Sequence, residues 1–241
     1  MTGVKMSRRA VLTGLPAAVV LDPGFDVEEI PVTGGRGLGK SVLVAMPRGR
    51  AGEGSLPVLV LLHGLGETHN ERAGLFAWFG PYGLSRAWER LQHPPLVRER
   101  ENYLAESELD ALNQSLSARP FQGSIVVCPF MPNPYVGGAS GNRLERYAKA
   151  LEQEILPAVR ERVSAASREP AHTGIAGVSL GGAVALEVFV RKPRLFATLG
   201  TVQGAYGVNL GALFARRIVE AEFAWPVVAR RHLELYRELL A

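Results

Sequence analysis

Short runs of consecutive apolar residues alternate along this chain with longer stretches in which apolar residues recur every three or four positions. Val58–Leu62 is apolar throughout, without alternation, which predicts a strand buried on both faces. Pro57 precedes it, where a missing N–H does little harm. Val27–Thr33, Ser41–Met46, Ser124–Cys128, Thr173–Val178 and Phe196–Val202 also read as strands. Pro31 interrupts the first of these and predicts an edge position, while Pro129 stops Ser124–Cys128. Helical spacing marks Leu84–Leu91, Glu106–Leu116 and Leu180–Val190. A long amphipathic helix is predicted over Asn142–Val163, with Leu144, Tyr147, Leu151, Ile155 and Val159 on one face and a kink at Pro157. A loop rich in proline and glycine covers Pro129–Gly141. Strands alternating with helices predict an α/β fold with a mostly parallel sheet covered by helices on both faces.

Composition narrows the class. The 241 residues are 47% hydrophobic and 21% charged, which suits one domain with a sizeable core and argues against disorder. One cysteine excludes an internal disulfide framework. No apolar run approaches the ~18 residues of a membrane span. The formal charge of +4 comes from scattered basic residues and isolated arginine pairs, without a basic block interleaved with aromatics, so nucleic acid is not an expected partner. At the N-terminus, Arg8-Arg9 leads into an apolar stretch from Ala10 to Leu21, broken by Thr13, Gly14 and Pro16. Residues 1–21 read either as a twin-arginine-like export signal or as a tail of a cytoplasmic protein, and the domain proper as 22–241.

Two motifs compete for the function. Gly34-Gly35-Arg36-Gly37-Leu38-Gly39-Lys40-Ser41 matches the phosphate-loop pattern G-x-x-x-x-G-K-[ST]. That chemistry needs a helix after Ser41, because backbone N–H groups at a helix start wrap the phosphates. Here Val42–Met46 followed by Pro47 reads as a strand, so the segment is expected to be a glycine-rich hairpin turn. The second motif is Gly177-Val178-Ser179-Leu180-Gly181, placed between an apolar strand and a helical run. This is the setting of a nucleophile elbow, a sharp turn that projects a serine hydroxyl above the sheet. An oxyanion formed there needs preorganised N–H donors. Leu180 would supply one and Leu65, in His63-Gly64-Leu65-Gly66, the other.

On the segments Val58–Thr68, Ile125–Pro134 and Gly174–Ala185, the chain resembles the putative-esterase branch of the α/β-hydrolases, which includes feruloyl esterases, S-formylglutathione hydrolases and mycolyltransferases. The resemblance runs from about Val27 to Gly204. It implies that Ser179 is the nucleophile, Leu65 and Leu180 the oxyanion donors, and a small-molecule ester the substrate, with no cofactor or metal. Cys128, at a strand end, is read as a small core residue.

Beyond Gly204 the family order of serine, acid, histidine finds few residues. No aspartate follows Ser179, and His232 is the one histidine after it. His232 shares a face with Val228, Leu235 and Leu239 in the helical stretch Val227–Leu240. Two accounts stay open. In one the α/β-hydrolase sheet is incomplete at the C-terminus, and the chain is impaired or serves as a catalytically silent binding protein. In the other Glu222 (or Glu220) and His232 act as a displaced acid–base pair. His69 is a third candidate base, out of family order. Glu187 is expected to be structural, and Glu234 and Glu238 to be a solvated face.

Overall fold

The computed structural model describes residues 24–33, 38–49, 55–98, 105–136 and 140–206. The proposed export signal, Gly34–Gly37, Glu222, His232 and the Val227–Leu240 helix lie outside the described residues.

Six strands form one sheet in the order β1-β2-β4-β3-β5-β6. They are β1 (Phe25–Pro31), β2 (Ser41–Pro47), β3 (Val58–Leu62), β4 (Ile125–Pro129), β5 (Thr173–Val178) and β6 (Thr198–Val202). β1 pairs antiparallel with β2, and β2 antiparallel with β4. The pairs β4–β3, β3–β5 and β5–β6 are parallel, so the sheet is mixed with a parallel half. Pro31 closes the edge strand β1, where its missing N–H is least costly.

The β1–β2 pairing settles the glycine-rich segment. Pro31 lies opposite Ser41, and Ser41 opens a strand instead of a helix, so the strand–loop–helix context of a phosphate loop is absent. The Lys40 and Ser41 N–H groups donate to the Glu71 carboxylate.

Successive residues of the central strands feed two cores. Val58, Val60 and Leu62 of β3, with Ile125 and Val127 of β4, face one; Leu61, Val126 and Cys128 face the other. The first core is closed by α4 (Ser140–Ala150), α5 (Leu156–Arg162) and α6 (Leu180–Arg191), through Tyr147, Val159 and Val184. The second is closed by α1 (Glu71–Phe76) and α2 (Leu84–Gln92), through Leu75, Phe76 and Trp88. α3 (Glu106–Ala118) buries Leu109 and Leu116. This is an α/β architecture, a mixed six-stranded sheet with helices on both faces.

One predicted element is corrected. The long helix over Asn142–Val163 is interrupted by a π turn at Leu151–Ile155, and α5 then starts with Pro157 in its first turn. Proline has no N–H to donate, and the wider turn just before it absorbs the break that was expected as a kink. α1 was not anticipated from the sequence. Asn70 caps it, its side chain accepting from the Ala73 N–H at 3.0 Å.

Candidate active site

Ser179 joins β5 to α6 with φ 52° and ψ −117°. A non-glycine residue in the left-handed half of backbone space is strained, and such strain persists only where the surroundings enforce it. The enforcement is visible. The Ser179 N–H donates to the Val202 carbonyl at 2.9 Å, and its carbonyl accepts from the Ala205 N–H at 2.8 Å. Two glycines clear the space that the bend needs. A Cβ at Gly177 would lie 2.3 Å from the Gly181 carbonyl group, and one at Gly181 would lie 2.4 Å from the His63 carbonyl oxygen. The start of α6 is thus packed onto the end of β3, which is possible only without a side chain. Leu180 occupies the first turn of α6, where backbone N–H groups have no acceptor within the helix.

The turn after β3 is held as tightly. A Cβ on Gly64 would lie 3.8 Å from the Val178 carbonyl, so this turn adjoins the bend at Ser179. The Gly64 N–H donates to the Tyr82 hydroxyl at 3.0 Å, and that hydroxyl donates to Glu67 Oε2 at 2.7 Å. Burial, then the bond to Glu67, pushes the Tyr82 phenol up to about 12. The Leu65 carbonyl accepts from Thr68 Oγ1 at 2.8 Å and from the Thr68 N–H at 3.2 Å.

His63 fixes the peptide between Gly64 and Leu65. The Met131 N–H donates to His63 Nε2 at 2.9 Å, so Nε2 carries no proton. Nδ1–H therefore donates to the Gly64 carbonyl, 2.9 Å away. In a planar trans peptide the N–H points opposite to the C=O. With the Gly64 carbonyl aimed at the imidazole, the Leu65 N–H is aimed away from it. Burial holds the His63 pKa below the ordinary histidine range, against the opposing influence of the Gly64 bond and the Glu67 charge. The ring is neutral and fully buried, stacked 5.6 Å from Phe130.

Sequence reasoning thus named three residues that the structure brings to one place: Ser179, Leu180 and Leu65. It did not find Tyr82 and Glu67, and it gave His63 no role. Of the other candidates, His69 is exposed and lines a cavity. Glu187 is buried and paired with Arg191, as its structural reading expected. Cys128 is fully buried in apolar surroundings, which raises its thiol pKa far above the usual range and makes it a poor nucleophile.

The cavity has a volume of about 380 Å³. Thr68 and His69 from the turn after β3, Met131–Pro134 from the loop after β4, and Val184 of α6 contribute to its wall. β3, β4 and β5 all end at this side of the sheet, where open α/β sheets place their ligands.

Fold and bend together are the arrangement that the sequence resemblance led us to expect: a strand-to-helix turn carrying a serine at the end of a parallel half-sheet. Residues 128–207, which include β5, Ser179 and α6, match the family model described as "Putative esterase". Similar solved structures include a ferulic acid esterase from Anaeromyces mucronatus in complex with ferulic acid. It is 14% identical with a TM-score of 0.48, over 76% of this chain and 60% of that one. A mutant of the feruloyl esterase module from Clostridium thermocellum complexed with sinapinate is 15% identical with a TM-score of 0.49, over 86% and 66%. The enterobactin esterase from Shigella flexneri is 17% identical with a TM-score of 0.48, over 83% and 43%. The chain therefore spans less than two thirds of the length of the structures it resembles. No curated protein shows a significant sequence match to it.

Proposed function

We propose that this chain is an ester hydrolase that passes an acyl group from a small-molecule ester to water through Ser179. The observation that carries the reading is the strained φ of 52° at Ser179, in a strand-to-helix bend kept open by Gly177 and Gly181. In the proposed reaction Ser179 Oγ adds to the ester carbonyl carbon as its proton passes to a base. Negative charge collects on the former carbonyl oxygen, facing the N–H groups of Leu65 and Leu180. The intermediate collapses, and the alcohol leaves with a proton. Water then adds to the acyl-enzyme, which releases the acid and restores the serine hydroxyl. His232 is the proposed base, oriented by Glu222, and His69 is its rival. No cofactor takes part in these steps.

A fluorophosphonate probe tests this directly. Folded wild-type protein is expected to be labelled and to hydrolyse 4-nitrophenyl acetate. Ser179→Ala should abolish labelling and reduce hydrolysis at least a hundredfold. Absence of labelling in folded wild-type protein overturns the proposal.

That outcome would favour a catalytically silent hydrolase fold that binds a ligand. One observation favours this second reading. Among the described residues, the histidine rings that make hydrogen bonds direct them away from Ser179: His63 to Gly64 and Met131, His93 to the Glu89 carbonyl, and His172 to Ser167.

A further inference from the structure

We infer that the cavity at the end of the sheet where β3, β4 and β5 finish is the binding site for a carboxylate on the substrate, so that the preferred ester is a monoanion such as a hemiester of a dicarboxylic acid. The inference rests on the hydrolase reading for its chemistry, but the site itself is argued from its walls. Leu38, Met131, Val136 and Val184 give the cavity an apolar body. Its volume of about 380 Å³ suits a small organic molecule. Arg143 and Arg146 of α4 enter the same wall, and among the described residues no aspartate or glutamate does.

The two guanidiniums have different duties. Arg143 Nε donates to the Pro134 carbonyl at 3.0 Å and so holds the loop after β4. Arg146 is exposed, and no ion pair joins it to a described residue. The neighbouring acid on the helix, Glu145, lies instead by Lys149, Arg191 and Lys192. Tyr147, one residue further, lines the cavity, and its buried hydroxyl has no hydrogen-bond partner among the described residues. An apolar chamber with an unneutralised guanidinium at its wall selects a ligand with an apolar body and one negative charge. A carboxylate is the natural match, because its two oxygens fit the planar donor fork of arginine.

The chamber also has the right neighbours for a substrate. Thr68, in its wall, holds the Leu65 carbonyl with both its hydroxyl and its N–H. Val184 lies one helical turn beyond Leu180. An ester carbonyl placed at the bend could thus extend its acid portion into the cavity, toward α4.

Two measurements separate this inference from the hydrolase reading. In the first, wild-type protein is given mono-4-nitrophenyl glutarate and 4-nitrophenyl butyrate, which differ in the terminal carboxylate. The value of kcat/KM is expected to favour the hemiester about tenfold, as one charge-assisted hydrogen bond would give. Arg146→Met should erase that preference, and Arg146→Lys should keep part of it. In the second, 4-phenylbutyrate and its neutral amide are titrated into Ser179→Ala protein, which reads binding without turnover. The acid should bind about tenfold more tightly than the amide, and Arg146→Met in the same background should remove the difference. Equal affinity for acid and amide overturns the anion site, and hydrolysis of both esters at equal kcat/KM overturns its use by the substrate. If neither ester is hydrolysed while the acid still binds through Arg146, the hydrolase reading fails and the anion site stands.

Discussion

At Gly181 the absence of one methyl group lets the start of α6 touch the end of β3. The atoms that a Cβ would meet are the carbonyl oxygens of His63 and Leu62, at 2.4 and 2.5 Å. Both belong to backbone at the centre of the sheet, so neither can swing aside as a flexible side chain would. Gly66 lies only a few residues along the same turn, yet a Cβ there meets nothing within 4 Å. The pair makes a controlled comparison. Gly181→Ala should lower the free energy of unfolding by roughly 1–3 kcal/mol, the usual cost of forcing extra volume into a packed site. Gly66→Ala should change it by less than about 0.5 kcal/mol. Urea unfolding of the two variants beside wild type checks this, and equal stabilities would show that the bend does not depend on the close approach.

The turn after β3 is an element held from outside itself. The hydroxyl of Tyr82, 18 residues further along the chain, accepts from the Gly64 N–H and donates to the Glu67 carboxylate. Because the Gly64 amide is already engaged, Leu65 is the next amide free to serve as a donor. Tyr82→Phe removes one hydroxyl and leaves two polar groups without that partner, so the turn should loosen while the fold persists. If the proposed chemistry operates, the rate of fluorophosphonate labelling and kcat/KM for 4-nitrophenyl acetate should both fall about tenfold, the scale of one lost hydrogen bond in a preorganised site. An unchanged labelling rate in a folded variant would remove Tyr82 from the site's support. The same contrast explains what the sequence could reveal. The Ser179 bend was legible because strand, serine and helix are contiguous, and its glycines mark the close contacts. The central strands were legible because burial on both faces leaves an unbroken apolar run. The Tyr82 bond was not, since tertiary packing alone joins positions 64 and 82. The π turn escaped because apolar spacing over Leu151–Ile155 reads through it. α1 escaped because six residues containing Gly74 are too few to establish a helical period. Asn70 was the available signal, as a capping residue ahead of Glu71.

Across the whole molecule, His63 connects parts that the sheet otherwise keeps separate. It continues β3, bonds through its ring to the loop after β4, and stacks on Phe130 of the second core. Gly74 of α1 closes over the ring so tightly that a Cβ there would lie 2.6 Å from Nε2. Protonation at Nε2 would turn the acceptor of the Met131 N–H into a donor facing another donor, in a fully buried position. This makes acid sensitivity a property of the fold as well as of one ring. The folded-state pKa lies below the 6.5 of an ordinary histidine, mainly because burial penalises the charged ring. As pH falls through that value, the unfolded chain takes up a proton that the folded ring still refuses, and stability declines. The decline continues down to the folded-state pKa and then levels, with a slope of at most about 1.4 kcal/mol per pH unit. In His63→Gln the amide oxygen can still accept from Met131, but nothing titrates there. Urea unfolding at pH 7.5 and 5.5 should therefore show a larger loss of stability on acidification for wild type than for His63→Gln. Equal losses would mean that other groups set the acid response, and that the imidazole does not couple the two loops through its protonation state.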